Sequence, residues 1–172
     1  LDVVARASRA IPEVPPDDTW QIACDHLARI TGFDRVVGYL MDPAGHGTVV
    51  AERCGEAMAP LLGLSFPAAD IPPQARQLYV RQRARFCPQV DYLPVALQVV
   101  ESTEPVDLSF VGLRSVSPYH VQYQRNMGVV ASFSVSVLVD GKLHGLLIGH
   151  HARPRRLGHY ERTGAELIAQ LL

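Results

Sequence analysis

The sequence is short of the signatures that most readily announce a function. Its three cysteines, at positions 24, 54 and 87, make no CxxC pair and leave an odd thiol in any disulfide scheme, which excludes a disulfide scaffold and a zinc ribbon. No apolar run reaches the roughly 18 residues of a membrane span, and the N-terminus has no signal-peptide pattern. A soluble, cytoplasmic chain without membrane contact is the expectation. Lys and Arg number 16 against 17 Asp and Glu, so net charge is −1 and no global field attracts nucleic acid. HxxxH and GxSxG spacings are missing, which removes the plain cases of a metal site and of a nucleophilic serine. His144 and His150 share a strand face but stand roughly 20 Å apart, and adjacent His150 and His151 point to opposite faces. No metal ligands and no catalytic residues are assigned.

Charge that cancels over the chain is uneven along it. Residues 1–42 carry seven Asp and Glu, whereas Arg76, Arg81, Arg83 and Arg85 fall within ten residues that hold no acid. A length of 172 residues supports one well-buried core, and a single domain over 1–172 is expected, with no internal repeat and no dividing linker.

The periodicities describe an α+β domain. "DDTWQIACDHLARITG" reads as a helix with Trp20, Ala23, Leu27 and Ile30 on one face and Gly32 closing it. "FDRVVGYLM" and "GHGTVVAER" read as neighbouring strands. Residues 59–73 are too rich in proline for a regular element and lead to a helix start at Pro72 and Pro73, continued by "QARQLYVRQRAR". On that helix Arg81 and Arg85 would share a face with Leu78. Residues 87–112 read as irregular chain with one or two short strands. "VSPYHVQYQRNMGV" is a short helix, with Ser117 as its cap, Pro118 at its first position and Gly128 past its end. "ASFSVSVLVDGKLHGLLIGH" is a hairpin turning at Asp140-Gly141. The tail from about Gly158 is helical, with Tyr160, Leu167, Ile168 and Leu171 as its apolar stripe. A mostly antiparallel sheet with the terminal helices on one face follows, and the irregular middle and the helix 118–127 would leave a ligand cavity on the other.

Polar groups suggest what that cavity holds. His120, Tyr123 and Met127 share a face of the short helix, where leucines would pack better. Ser132, Ser134 and Ser136 alternate with Phe133, Val135 and Val137; taken alone, the serine row reads as a solvent face. Arg114, amid apolar neighbours, and Arg85 are the candidates for binding carboxylates. A flat, partly apolar anion suits such a set.

Three segments, "FPAADIPPQARQLY" (66–79), "LRSVSPYHVQYQRNMGV" (113–129) and "LHGLLIGHH" (143–151), together with "GFDRVVGYL" and "VVAERCGEAMAPLLGL", resemble the chromophore-binding GAF domain of bacterial phytochromes from about residue 15 onward. The resemblance implies the GAF fold and a linear tetrapyrrole, biliverdin in bacteria, as cofactor. It implies Arg85 and Arg114 on the two propionates, helped by Ser117, Ser132 and Ser134. It places the Asp70 carbonyl, beside Ile71, and His120 at the pyrrole nitrogens, with Tyr39, Phe66, Tyr79, Tyr119, Tyr123 and His150 lining the pocket. Red light would then isomerise the double bond between rings C and D. The implied partners are the other domains of a parent sensor, often a histidine kinase, and a second copy through the terminal helices. No PAS, PHY or kinase region is read in the chain. Several positions depart from the family pattern. Tyr119 stands where some members carry the attachment cysteine, so binding can be non-covalent. Ala69 replaces a serine, His144 a tryptophan, Gly149 a cysteine, and Tyr39-Leu40-Met41 the family's YRF.

Two other classes compete. One is a GAF-type module that has lost its bilin and serves dimerisation. The other is a thiol redox enzyme, which needs a cysteine in the pocket. A strict two-residue hairpin turn would also set His150 opposite Ala131, away from the serine face, unless a bulge shifts the register.

Overall fold

A computed structural model describes residues 2–11, 15–98, 104–112 and 114–172; Leu113 of the quoted motif and part of the irregular middle segment fall outside these. Helices α1 (Asp2–Ala10) and α2 (Pro16–Thr31) precede strands β1 (Arg35–Met41) and β2 (Gly47–Cys54). A short strand β3 (Ser65–Phe66) and a single 3-10 turn (Ala68–Asp70) lead into α3 (Pro73–Arg81) and β4 (Ala84–Cys87). Then come α4 (Pro118–Asn126), the hairpin β5 (Ala131–Val139) and β6 (Lys142–His151), and α5 (His159–Ala169). Among the described residues no helix is long and apolar enough to cross a membrane.

The strands form one sheet in the order β3-β2-β1-β6-β5-β4, every neighbouring pair antiparallel. Alternation along each strand gives the sheet two different faces. Val36, Ala51, Phe133, Val135, Val137 and Leu147 pack against Ala23, Cys24 and Leu27 of α2 and Ala165 and Ile168 of α5. Val37, Tyr39, Val49 and Leu146 face the other way, toward Tyr79 of α3. The terminal helices therefore cover one face and the middle of the chain covers the other, as the sequence implies.

Four local expectations need correction. The helix from Pro73 stops at Arg81, because Gln82 is already extended (φ −122°, ψ 101°) and Arg83 gives its carbonyl to the Ser136 N–H at 2.8 Å. Arg85 thus sits on an edge strand opposite Ser134 and shares no helix face with Arg81. The strand lies at 84–87, and no regular strand occurs among the described residues of 88–112. Ser117 holds the cap position of α4 without a side-chain bond to the helix. On α5 the stripe is rotated: Ala165, Ile168 and Ala169 are buried, whereas Tyr160 is 80 % and Leu167 43 % exposed. Helix α1 has no counterpart in the sequence reading.

The hairpin turns where the Asp-Gly pair predicts, with Asp140 and Gly141 both at positive φ (48° and 73°). Residues 138 and 139 pair with 143 and 142, but 137 pairs with 145, so His144 is one extra residue in β6. That bulge shifts every later residue by one place and brings His150 opposite Ser132. His150 therefore lies on the serine face, and His151 turns to the helix side against Phe33.

Candidate functional site

On the face away from the terminal helices lies a cavity of about 720 Å³, walled by the sheet, α3, α4, the 3-10 turn and the chain before α4. Every candidate site residue lines it: Tyr39, Phe66, Asp70, Ile71, Tyr79, Arg85, Arg114, Ser117, Tyr119, His120, Tyr123, Ser132, Ser134 and His150. The floor is apolar, from Val37, Val49, Leu146 and Ile148.

Ser132 and Ser134 form part of this wall and Ser136 is bonded to α3, so the row is not a solvent face. Ser132, Ser134 and Ser136 are all buried. Ser136 Oγ donates to the Tyr79 carbonyl (2.8 Å) and Ser134 Oγ to the Tyr79 hydroxyl (3.3 Å), so α3 is laid on β5 through hydroxyls. Strand alternation shows which residues share a face; only the packing of α3 and α4 shows that the face is covered.

The two arginines meet different surroundings. The Arg85 guanidinium stacks over the Tyr79 ring at 3.9 Å and donates weakly to the Ala75 carbonyl at 3.5 Å. Its Nε is buried and has no hydrogen-bond partner among the described residues. Burial lowers its pKa, Tyr79 opposes this through charge and a hydrogen bond, and neighbouring Arg114 adds to the lowering; an arginine stays charged nonetheless. Arg114 is anchored by the carbonyls of Ser109 (3.0 Å) and Val111 (3.1 Å) and by the side-chain amide of Gln82. A buried, donor-only guanidinium edge lining a cavity fits a ligand carboxylate. The donor set therefore fits an anionic, largely apolar molecule.

The titratable groups around the cavity are pushed toward neutrality. The His120 pKa is lowered by burial and then by Arg85. Burial raises the Tyr123 phenol, with Asp70 adding to it through charge and a hydrogen bond. Tyr39 is pushed up to about 12 by burial, with Tyr123 and Asp70 contributing. His150, 6 % exposed, is lowered to about 3 by burial, Arg35 and His120.

Three further residues belong to the site that pattern reading did not single out. Gln124 of α4 is 3 % exposed, donates Nε2 to Ser132 Oγ, and leaves Oε1 without a partner among the described residues. Cys87 also lines the cavity, with its thiol pKa raised by burial. Arg35 lies behind His150 and bonds its Nδ1. A polar residue on an otherwise apolar strand was the available signal for Arg35; nothing in the sequence joined it to His150, 115 positions away. Among the described residues no cluster of His, Cys, Asp and Glu could hold a metal ion.

A sheet carrying helices on one face and a mixed apolar and cationic cavity on the other is an α+β fold built around a ligand-sized cavity. Residues 15–172 match the GAF domain family, and the chain belongs to it. Among its relatives are cyanobacterial phytochrome B of Nostoc sp., 42 % identical over 154 residues (88 % of this chain, 20 % of the relative), and the bacteriophytochrome of Pseudomonas aeruginosa, 42 % identical over 150 residues (86 % and 21 %). The wild-type chromophore-binding domain of Stigmatella aurantiaca phytochrome P1 superposes with a TM-score of 0.96 at 37 % identity, covering 99 % of this chain and 57 % of that one. The corresponding domain of an R. palustris bacteriophytochrome gives 0.94 at 37 %, covering 99 % and 58 %. The chain is thus a GAF domain of the phytochrome kind. It spans about a fifth of the length of these curated relatives.

Proposed function

We propose that this domain binds a bilin, biliverdin in particular, and senses red and far-red light through it. The observation that carries the reading is Arg85 Nε, buried beside Arg114 in a cavity with an apolar floor and with no partner among the described residues. A planar tetrapyrrole with two propionates answers both the apolar walls and the paired cations. When bound, such a group supplies red absorption and a ring-linking double bond that light isomerises. The chain's own residues do the rest. Arg85 and Arg114 hold carboxylates, aided by the hydroxyls of Ser117, Ser132 and Ser134. The Asp70 carbonyl and His120 accept from or orient pyrrole nitrogens. Ile71, Tyr39, Phe66, Tyr79, Tyr119, Tyr123 and His150 confine the remaining rings and keep water out.

Binding is read as non-covalent. Cys87 is the cavity cysteine, and burial raises its thiol pKa, which disfavours the thiolate needed both for attachment and for thiol redox chemistry. Work within a larger cytoplasmic sensor, coupling to a histidine kinase, and pairing of two copies are proposals about the whole protein. Exposed Tyr160 and Leu167 on α5 support the pairing, and would equally serve a bilin-free dimerisation module. No part is proposed for nucleic acid or membrane.

Mixing the purified domain with biliverdin and recording its visible spectrum tests the reading. A structured red band that is lost in acidic urea, with no zinc-fluorescent protein band on a gel, is the expected result. A fluorescent band would assign attachment to Cys24, Cys54 or Cys87. No spectral change would overturn the reading in favour of the bilin-free module.

A further inference from the structure

Arg35 heads the fully buried side chains by size, at 2 % exposure, and among the described residues no carboxylate is bonded to it. Glu52 favours its charge without bonding it, and a buried guanidinium with no bonded carboxylate is destabilising unless its N–H groups are well used. Here they are used on the cavity wall. Nε and Nη2 stand 3.2 and 3.0 Å from Nδ1 of His150, and Nη1 donates to the Ala59 carbonyl. The two residues are direct register partners on β1 and β6, so backbone pairing fixes the approach of their side chains.

A guanidinium only donates and keeps its charge at any relevant pH. The ring nitrogen it faces must therefore be the bare, accepting one. A proton on Nδ1 would meet two N–H groups and a positive charge. The single ring proton of a neutral His150 is thus confined to Nε2, on a ring that lines the cavity.

On the reading that the cavity holds a bilin, we propose that Arg35 is a positioning residue that locks His150 as the neutral Nε2–H tautomer. The cavity then meets one fixed hydrogen-bond donor at this point and not an imidazolium. The groups facing His150 agree with this assignment: Arg35 from β1 and His120 from α4 oppose a second proton, and Ser132 from β5 is uncharged. Burial acts in the same direction and is the largest cause.

The test is nitrogen-15 histidine NMR on the wild-type protein between about pH 5 and 8, with and without biliverdin, the His150 signals assigned by His150→Gln. The expected result is a bare Nδ1 and a protonated Nε2 that do not titrate. In Arg35→Met the midpoint should move from about 3 toward the ordinary 6.5, tautomers should mix, and the biliverdin band should become pH-dependent. Arg35→Lys, which keeps a charge but not the two-pronged fork, should restore only part of the lock. A wild-type His150 carrying its proton on Nδ1, or titrating in this range, would overturn the proposal. So would a folded Arg35→Met protein with unchanged His150 signals. If Arg35→Met does not fold, the wild-type spectrum decides alone. The lock is read without bilin, so a locked His150 in a protein that takes up no biliverdin would refute the bilin reading only. Biliverdin uptake with a mobile His150 proton would refute the lock only.

Discussion

Phe133 and Gly149 are register partners across β5 and β6, and the Phe133 ring occupies the space in front of Gly149: a Cβ built there would stand 2.0 Å from ring carbon Cε1. Phe133 is itself buried, with Phe33 edge-on at 4.9 Å and Phe86 at 6.4 Å, so its ring is packed on both these sides. The cysteine that the family resemblance puts at position 149 is excluded here by the size of its neighbour.

Gly149→Cys should therefore destabilise the fold by about 1–3 kcal/mol through overpacking. Adding Phe133→Leu should recover much of that loss, giving a coupling energy of about 0.5–3 kcal/mol in a double-mutant cycle. Urea denaturation of the four proteins measures it; additive effects would refute the steric account.

Acid should weaken the domain through His150. Its imidazole titrates near 6.5 when unfolded and near 3 when folded, so between those values only the unfolded chain takes up the proton. Stability is complete above 6.5 and falls as pH drops through that window. By about pH 5 this one group should remove roughly 2 kcal/mol. His26 and His120, also lowered by burial, act in the same sense. Urea midpoints at several pH values, compared with His150→Gln, should show a shallower acid slope in the variant.

Gln124 and Ser132 make a sharper contrast than either alone. Ser132→Ala strands the buried Gln124 amide N–H and should cost about 1–3 kcal/mol. Gln124→Leu combined with Ser132→Ala removes both partners and the orphaned amide oxygen, and should be close to neutral or stabilising. Thermal melts of the two variants decide, and equal losses would contradict the hydrogen-bond explanation.

Arg85→Ala should weaken biliverdin binding by about tenfold to a hundredfold, the range of one charge-assisted hydrogen bond in a buried site. The dimethyl ester of biliverdin should lose affinity for the wild type and show little further loss with the variant. Absorbance titrations give all four constants.

The fold was legible where short-range chemistry dictates shape. Asp140-Gly141 announces its turn, Gly32 ends its helix in the left-handed region, and Phe133, Val135 and Val137 announce a buried face. What stayed hidden depends on longer-range packing. Arg81 and Arg85 have helical spacing, yet strand pairing with β5 claims Arg85. The serines look wet until α3 is laid over them. An extra residue at His144 leaves no mark in composition, and it alone decides which way His150 points. Tyr160 and Leu167 match a helical stripe, but α2 meets α5 on the side of Ala165 and Ile168. The candidate site was legible through motifs, and its supporting layer, Arg35 and Gln124, was not.

The order of strands carries a consequence for how the chain reaches this shape. Each half of the sheet is built on a hairpin of near neighbours, β1 with β2 and β5 with β6, which can form early and separately. The seam between them, β1 against β6, joins Arg35 to His150 across 115 positions of sequence. Closing so long a loop spends chain entropy before any contact rewards it, so the seam should set the folding rate. The cavity floor, with Val37 and Tyr39 on one side of the seam and Leu146 and Ile148 on the other, does not exist until that closure is made. A ligand held there arrives after folding and acts as a late clasp across two halves that meet last.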